Sequence, residues 1–515
     1  MNFTPGFYNY GTLYLTALKI SSDVVAAYTG GPDAQKPDQA WPFLARAHFA
    51  GRLISAFAGA GTALMVFLIL RRFSTDLGAV FGGLLVAFAP AHVVHSRFQT
   101  VDILAAFLIS VSAFYALKLI PKDGVEEKRS DMRLAVLSGV FAGLSAGTKY
   151  TGILCLLTLF VAIYAVKRPT NVKLALVGLG TAILAFLITT PGILLQNQEF
   201  MQGFLYETRH VNSGHGLVFE GTSSGFIYHF TNLMAGVGTL LTVMGLAGLL
   251  GGAFRKHWWA IALAAFFVPY YLLIGGAEVK FMRYTFPLIV GLGVGFGWLV
   301  GKAREKQGKW HLVVAAGFLA LGGFVGGGLQ SAMRFTAWMS VPDPRESAGA
   351  YLAKQKGTVG LATDPWFYTA SVHPELGRRL FMTRDGVIEM TGYGAGMDRF
   401  LQSFTDPAVA RYVPLGPDGQ RDLSQKQDWD DRLLNEIKPD FVVYSSFEFE
   451  NLDHIHGLAN PSPVGKAVSD RWMAFKSALE KDYERDKGFG EPSPMVHDMM
   501  YVQPAIIIWK RKTAP

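Results

Sequence analysis

About ten apolar runs, separated by short polar breaks, fill the chain as far as Leu329 and then stop. A run of roughly 20 apolar residues crosses a bilayer as a helix, and inside lipid only helices and closed barrels satisfy their own backbone. The runs are Arg52–Leu70, Leu77–Val94, Ile103–Ile120, Leu134–Thr148, Thr151–Val166, Lys173–Leu195, Phe230–Phe254, Trp258–Gly275, Tyr284–Gly301 and Leu312–Leu329. They predict a polytopic α-helical membrane protein of about ten spans. Leu134–Thr148 and Thr151–Val166 are short and meet at Lys149 and Tyr150, which predicts a tight hairpin there.

The rest of the composition agrees. Charged residues make up 17% of the 515, against roughly 25% in soluble chains. That argues against the three soluble domains the length alone suggests. The apolar content excludes disorder. Cys155 is the one cysteine, so a disulfide framework is excluded too.

The net charge of +8 follows from topology rather than from a nucleic acid partner, which is not expected. Arg71 and Arg72 follow the first run. Lys118, Lys122, Lys128, Arg129 and Arg133 surround the loop after the third. Lys167, Arg168 and Lys173 follow the fifth, Arg255 and Lys256 the seventh, and Lys302, Arg304, Lys306 and Lys309 the ninth. Basic residues gather in cytoplasmic loops, so every second loop is assigned to the cytoplasm. The opposite loops and everything after Leu329 are assigned to the outside of the cell (inner) membrane. Residues 1–50 then form an outer juxtamembrane segment, although no signal peptide precedes them. The expectation is that a further span and outer loop belong before Met1; the alternative is a first span inserted as a reverse anchor. Two domains are expected, a transmembrane one over 1–333 and an extracytoplasmic one over 334–515.

Ionisable groups near membrane depth mark function more often than structure, and the outer ends of the runs carry several. Asp102 opens an apolar helix five residues after Arg97. It is either a first-turn acid complementing the helix dipole or a carboxylate facing an outer cavity, with Arg97 beside it for an anion. Lys149 and Tyr150 occupy the hairpin, where a lysine either snorkels to the interface or meets a ligand head group. The segment Thr190–His229 carries Glu207, Arg209, His210, His215 and Glu220, and reads as a lid or as an amphipathic surface helix. Glu278, Lys280 and Arg283 stand at the next outer mouth. The two cations suit a phosphate, or else pair with Glu278 or with lipid phosphates. His92 and His95, three apart, are read as interfacial histidines rather than as metal ligands for want of a third. The polar loop reading is likewise preferred for Asp453, His454 and His456. Ion pathways place charges mid-span, and these runs carry almost none.

The order Tyr8-Asn-Tyr10-Gly-Thr-Leu-Tyr-Leu, Ala47-His-Phe-Ala-Gly-Arg52, His95-Ser-Arg97-Phe-Gln-Thr-Val-Asp102, Gly143-Leu-Ser-Ala-Gly-Thr-Lys149-Tyr150 and Arg283-Tyr284-Thr-Phe-Pro287 resembles the GT-C membrane glycosyltransferases. It is most similar to the family 39 type, which includes protein O-mannosyltransferases and aminoarabinose transferases. The resemblance implies transfer of a sugar from a polyprenyl-phosphate donor to an acceptor hydroxyl on a protein, lipid or glycan, with inversion. It implies an acid acting on the acceptor and basic residues holding the lipid phosphate. The family's first outer loop, with its Asp-Glu type motif, comes before the segment matching Tyr8–Leu15, so the main base has no counterpart here. What carries over is a supporting acid at Asp102, donor-phosphate residues at Arg97, Lys149, Lys280 and Arg283, and site-lining residues at Tyr150, Glu207, His210 and Tyr284. Some members use a divalent metal and others none, and no cofactor is assigned. Two other readings stand beside this one, a non-catalytic relative that binds lipid-linked sugar and a transporter of lipid-linked glycans.

After Arg334 the pattern becomes that of a soluble α/β domain. Asp343-Pro-Arg345 reads as a capped helix start. Thr358–Thr363, Asp440–Ser445 and Ala505–Trp509 read as strands, and Asp422–Ile437 as a helix.

Overall fold

The computed structural model describes residues 4–29, 40–121, 130–166, 171–306, 310–363, 368–370, 409–410, 427–490 and 497–512. Lys122, Lys128, Arg129, Lys167, Arg168 and Lys309 of the basic loops lie outside them, as do residues 422–426 of the expected C-terminal helix. The chain divides into two compact units. The first holds Met1–Gly31, Phe43–His215 and Ser223–Thr336, and the second holds Pro32–Pro42, Gly216–Thr222 and Ala337–Pro515.

The first unit is helical. Its elements are α1 (Leu13–Thr29), α2 (Ala40–Phe73), α3 (Asp76–Phe88), α4 (Pro90–His95), α5 (Val101–Leu117), α6 (Asp131–Ala146), α7 (Leu156–Ala165) and α8 (Asn171–Thr189). They continue with α9 (Gly192–Leu195), α10 (Asn197–Ser213), α11 (Gly225–Val237), α12 (Thr239–Phe254), α13 (Trp258–Gly275), α14 (Phe286–Glu305), α15 (His311–Gly322) and α16 (Gly328–Trp338). Among the described residues four helices are long and apolar enough to cross a membrane: Arg46–Phe73, Asn171–Thr189, Trp258–Gly275 and Met282–Glu305. The pair α11 and α12 adds a fifth if counted as one span, and four more apolar helices are shorter.

Several runs that read as single spans are broken, each for a local reason. Phe230–Phe254 bends by 112° between α11 and α12. The hinge is Gly238 at φ +120°, a conformation that a side chain would strain. Leu77–Val94 breaks before Pro90, which cannot donate to the preceding turn. Lys173–Leu195 ends at Thr189 with Pro191 two residues on. Leu312–Leu329 ends at Gly322, where Gly323 adopts the left-handed conformation that closes helices. The hairpin expected at Lys149 and Tyr150 is present. α6 stops at Ala146, and a 3-10 turn, Tyr150–Cys155, leads into α7.

Burial sorts these helices. Of the window in Met282–Glu305, 94% is buried, against 22% in Asn171–Thr189. α14 is therefore the axis of the unit, and α8 is turned outward. Small residues bring neighbours close to the axis: Gly78 and Gly82 of α3 meet Gly297 and Gly293 of α14.

The second unit is built on a five-stranded sheet in the order β2-β1-β3-β5-β4. Its strands are β1 (Val359–Leu361), β2 (Val409–Ala410), β3 (Phe441–Ser445), β4 (Tyr483–Phe489) and β5 (Ile506–Arg511). β1 is parallel to β2 and β3, and β5 is antiparallel to β3 and β4. Among the described residues, the helices of this unit are α17 (Pro344–Leu352), α18 (Ser446–His456), α19 (Pro463–Asp482) and α20 (His497–Met500). The Asp343 side chain caps α17 through Arg345 N at 2.8 Å, as its sequence suggests. Of the expected helix over 422–437, only a π turn, Leu433–Ile437, forms among the described residues. Trp429, Trp472 and Phe475 anchor the apolar core beside β3. The segment Gly216–Thr222 belongs to this unit, where the Glu220 carboxylate accepts from Ser462 N (2.6 Å) and Ser462 Oγ (2.9 Å).

Candidate active site

Three ionisable side chains of the first unit meet at one place. Thr100 caps α5, and Asp102 lies in the first turn that follows. The Thr100 hydroxyl donates to Asp102 Oδ2 at 2.8 Å. Lys149, at the end of the α6 hairpin, donates from Nζ to Asp102 Oδ1 at 2.6 Å. Arg283 Nε, in the 3-10 turn Met282–Thr285 before α14, stands 3.9 Å from Asp102 Oδ2. The carboxylate is 5% exposed, Lys149 14% and Arg283 23%. A buried charge needs a partner and hydrogen bonds to be tolerated, and Asp102 has two cations and a hydroxyl. Two cations thus face one carboxylate from different turns of the chain.

Aromatic faces hold the cations in place. Lys149 Nζ lies 4.1 Å from the centre of the Tyr284 ring, and the Arg283 guanidinium 3.8 Å from that of Phe281. Tyr270 fixes the backbone of the Arg283 turn by donating to Tyr284 O at 3.1 Å.

The segment before α1 closes against the hairpin. Leu13 N donates to Gly147 O at 2.9 Å, and the Tyr150 hydroxyl reaches both Tyr8 O (2.7 Å) and Tyr10 O (3.0 Å). The crossing needs glycine at Gly11, because a Cβ there would stand 2.2 Å from Gly147 O. The result is a cavity of about 390 Å³. Lys149, Tyr150, Tyr10 and Tyr284 line its polar part, and Ile153, Leu154, Leu273 and Ile274 its apolar part. α10 supplies one wall with Phe204, Glu207, Thr208, Val211 and Asn212, one face of a helix by their spacing. Glu207 is half-buried, and burial is the main reason its carboxyl is raised above the ordinary value. Lys149, His210 and Arg283 oppose that shift, and Asp102 adds to it.

Lys149, Tyr150, Glu207 and Tyr284 thus meet at one cavity, with Asp102 and Arg283 joined to it through Lys149. The other sequence-predicted residues lie elsewhere. Arg97 donates to Thr336 Oγ1 at 3.2 Å. Lys280 is 4% exposed and stands 3.6 Å from Glu278. His210 stacks on Tyr206 and contacts His215 at 3.1 Å. None of the three lines the cavity. Arg97 and Lys280 stand near site residues in sequence, but each is held by a partner outside the cavity. Thr100, Tyr10 and Tyr270 were not singled out as site residues; Thr100 precedes the helix in the position of an N-cap, and Tyr10 sits in a quoted motif.

Among the described residues no three His, Cys, Asp or Glu side chains converge to hold a metal ion. Asp453, His454 and His456 lie in α18 and not in the polar loop expected from the sequence; Asp453 accepts from Trp472 Nε1 at 2.6 Å, and His456 stands 3.7 Å from Asp470. His92 and His95 pack edge-on against Phe286.

Residues 25–205 match the family model of dolichyl-phosphate-mannose-protein mannosyltransferases. The matched segment contains Arg97, Asp102, Lys149 and Tyr150 and ends two residues before Glu207, so the resemblance to family 39 type glycosyltransferases holds there. No curated protein matches the chain. Among solved structures, the Archaeoglobus fulgidus oligosaccharyltransferase in its apo form is 16% identical with a TM-score of 0.43, over 74% of this chain and 54% of that one. The chain thus spans about half the length of that relative. ArnT from Cupriavidus metallidurans in the apo state is 12% identical with a TM-score of 0.45, over 98% of this chain and 88% of that one. ArnT bound to undecaprenyl phosphate is 14% identical with a TM-score of 0.42, over 89% and 84%.

Proposed function

We propose that this chain, which carries the mannosyltransferase family pattern over residues 25–205, is a membrane glycosyltransferase. Its donor is a sugar on a polyprenyl phosphate, its acceptor a hydroxyl of a protein, lipid or glycan, and its place of action the outer leaflet of the cell membrane. The observation that supports this reading is that the Asp102–Lys149–Arg283 cluster presents Lys149 to a cavity with an apolar side. A phosphate monoanion on an apolar tail has the matching chemistry.

In this reading the phosphate meets Lys149 at the cavity wall, and Arg283 adds field from behind it. Asp102 is a positioning residue that holds both cations in register before donor arrives. Charge accumulates on the bridging phosphate oxygen as its bond to the anomeric carbon breaks, and preorganised cations stabilise that charge. Attack from the opposite face inverts the anomeric centre. The apolar residues of the cavity accept the first isoprene unit. Burial of about one such unit offsets part of the ordering cost of a long flexible lipid.

The test is transfer from a synthetic polyprenyl-phosphate sugar by the full chain in detergent or nanodiscs. Labelled product with a panel of hydroxyl acceptors is expected. A wild-type protein that binds the donor but transfers to no acceptor would favour a binding relative, and one that does neither would remove the reading.

A further inference from the structure

We propose that Glu220 is a positioning residue for the donor cavity and acts on it through α10, a role that rests on the transferase reading above. Glu220 does not line the cavity. The chain leaves α10 at Ser213, belongs to the second unit from Gly216 to Thr222, and returns to the first at Ser223. α10 is the helix whose Glu207, Thr208, Val211 and Asn212 form a wall of the cavity. An extended residue spans at most about 3.6 Å, so the stretch from Asn212 to Gly216 reaches roughly 14 Å and no more. A tether that short ties the wall to whatever holds Gly216–Thr222.

The second unit holds that segment by several contacts. Leu217 packs against the apolar core around Trp472, and its carbonyl accepts from Asn451 Nδ2. Phe219 is buried. Glu220 supplies the charged anchor. Its carboxylate accepts from Ser462 N and Oγ, and the same Oγ accepts from Gly465 N at 2.9 Å as the N-cap of α19. Unpaired amides and the helix dipole favour a carboxylate there. Gly465 makes room for it, because a Cβ at that position would stand 2.5 Å from both carboxylate oxygens. Joining α10 to α11 requires none of these contacts.

At the other end of the tether, the last turn of α10 braces the segment that carries Arg283. Glu278 N and Val279 N donate to Val211 O at 3.0 and 3.3 Å. His215 packs edge-on against Phe281, the ring that lies under the Arg283 guanidinium. Through α10, the Glu220 anchor therefore bears on both the cavity wall and the Arg283 turn.

The experiment compares wild type, Glu220→Ala, Glu220→Gln and Asp343→Ala, each as the full chain in nanodiscs. Asp343→Ala removes the cap of α17 in the same unit and leaves the tether untouched. Donor affinity is read with a fluorescent polyprenyl-phosphate sugar, and the mobility of α10 by amide hydrogen exchange. In Glu220→Ala the affinity falls about fivefold, within the range for coupling through packed elements. Exchange quickens over Thr208–Ser213. Glu220→Gln keeps an oxygen for Ser462 and recovers most of both. Asp343→Ala moves neither, although loss of its cap destabilises the same unit. Unchanged affinity or unchanged α10 exchange in Glu220→Ala overturns the positioning role and leaves the transferase reading intact, as does an equal change in Asp343→Ala. No donor binding by wild type overturns the transferase reading, and the role of Glu220 with it.

Discussion

Each unit buries a carboxylate in the first turn of a helix, and the two are held in opposite ways. Asp102 of the first unit faces two cations. Glu448 of the second, in the first turn of α18, faces neutral donors: the Thr363 hydroxyl and, at 2.6 Å, the Ser445 backbone N–H of a capping box. Burial pushes Glu448 up to about 7, with those hydrogen bonds opposing the shift. Hydrogen bonds alone suffice to close a helix end. Two ordered cations exceed what a cap needs, and one of them lines a cavity. The contrast sets an acid held by neutral caps against an acid held by two cations.

The largest expected effect breaks the first arrangement. Lys149→Ala leaves a buried carboxylate with one distant cation, and stripping a partner from a buried pair costs about 3 kcal/mol. Thermal unfolding of the detergent-solubilised chain measures it. Lys149→Met combined with Asp102→Asn should recover most of that stability without recovering donor binding. Recovery of both would make the pair structural, like Glu448.

A comparable effect is expected in the second unit, but only with pH. The folded Glu448 value lies above the unfolded one, so the folded state binds more protons between about 4.5 and about 7. Stability is therefore greatest below that window and falls as pH rises through it, by roughly 3 kcal/mol at most. Hydrogen exchange at the β3 amides, corrected for intrinsic rates, should lose protection over this range. In Glu448→Gln the protection should stay flat.

Smaller effects sharpen the boundary of the site. Arg283→Ala should weaken donor binding about tenfold, near 1.4 kcal/mol, because it acts beyond Asp102 rather than on the cavity wall. Arg97→Ala should change donor affinity by less than about twofold, or roughly 0.4 kcal/mol, since its partner is Thr336. Titration with a fluorescent polyprenyl-phosphate sugar checks both, and a large Arg97 effect would move the site toward α16.

Much of the site was legible because charges are rare in apolar sequence. Asp102, Lys149 and Arg283 stand out against their runs, and the family pattern covers the first two. The sequence could not say which oxygen each cation meets, because that depends on three turns approaching from distant parts of the chain. Glu207 was visible as a charged residue in a long connection between apolar runs. Its face followed from the spacing of Phe204, Thr208 and Val211, a helical pattern that an undecided reading of lid or surface helix left unused. The bend at Gly238 was hidden, since a glycine in an apolar run signals flexibility without direction. β4 was missed because Tyr483–Phe489 is an edge strand with its charges exposed, so it lacks the apolar alternation that marks a strand. Strands β1, β3 and β5, buried and β-branched, were read close to their ends.

The measurement that bears most directly on the central claim is donor affinity in wild type and Lys149→Ala, with the Lys149→Met/Asp102→Asn double variant as the folded control. The account predicts binding by wild type and a loss of about 30-fold or more in both variants, near 2 kcal/mol. Equal affinity in all three proteins would contradict it, and would place the phosphate away from Lys149.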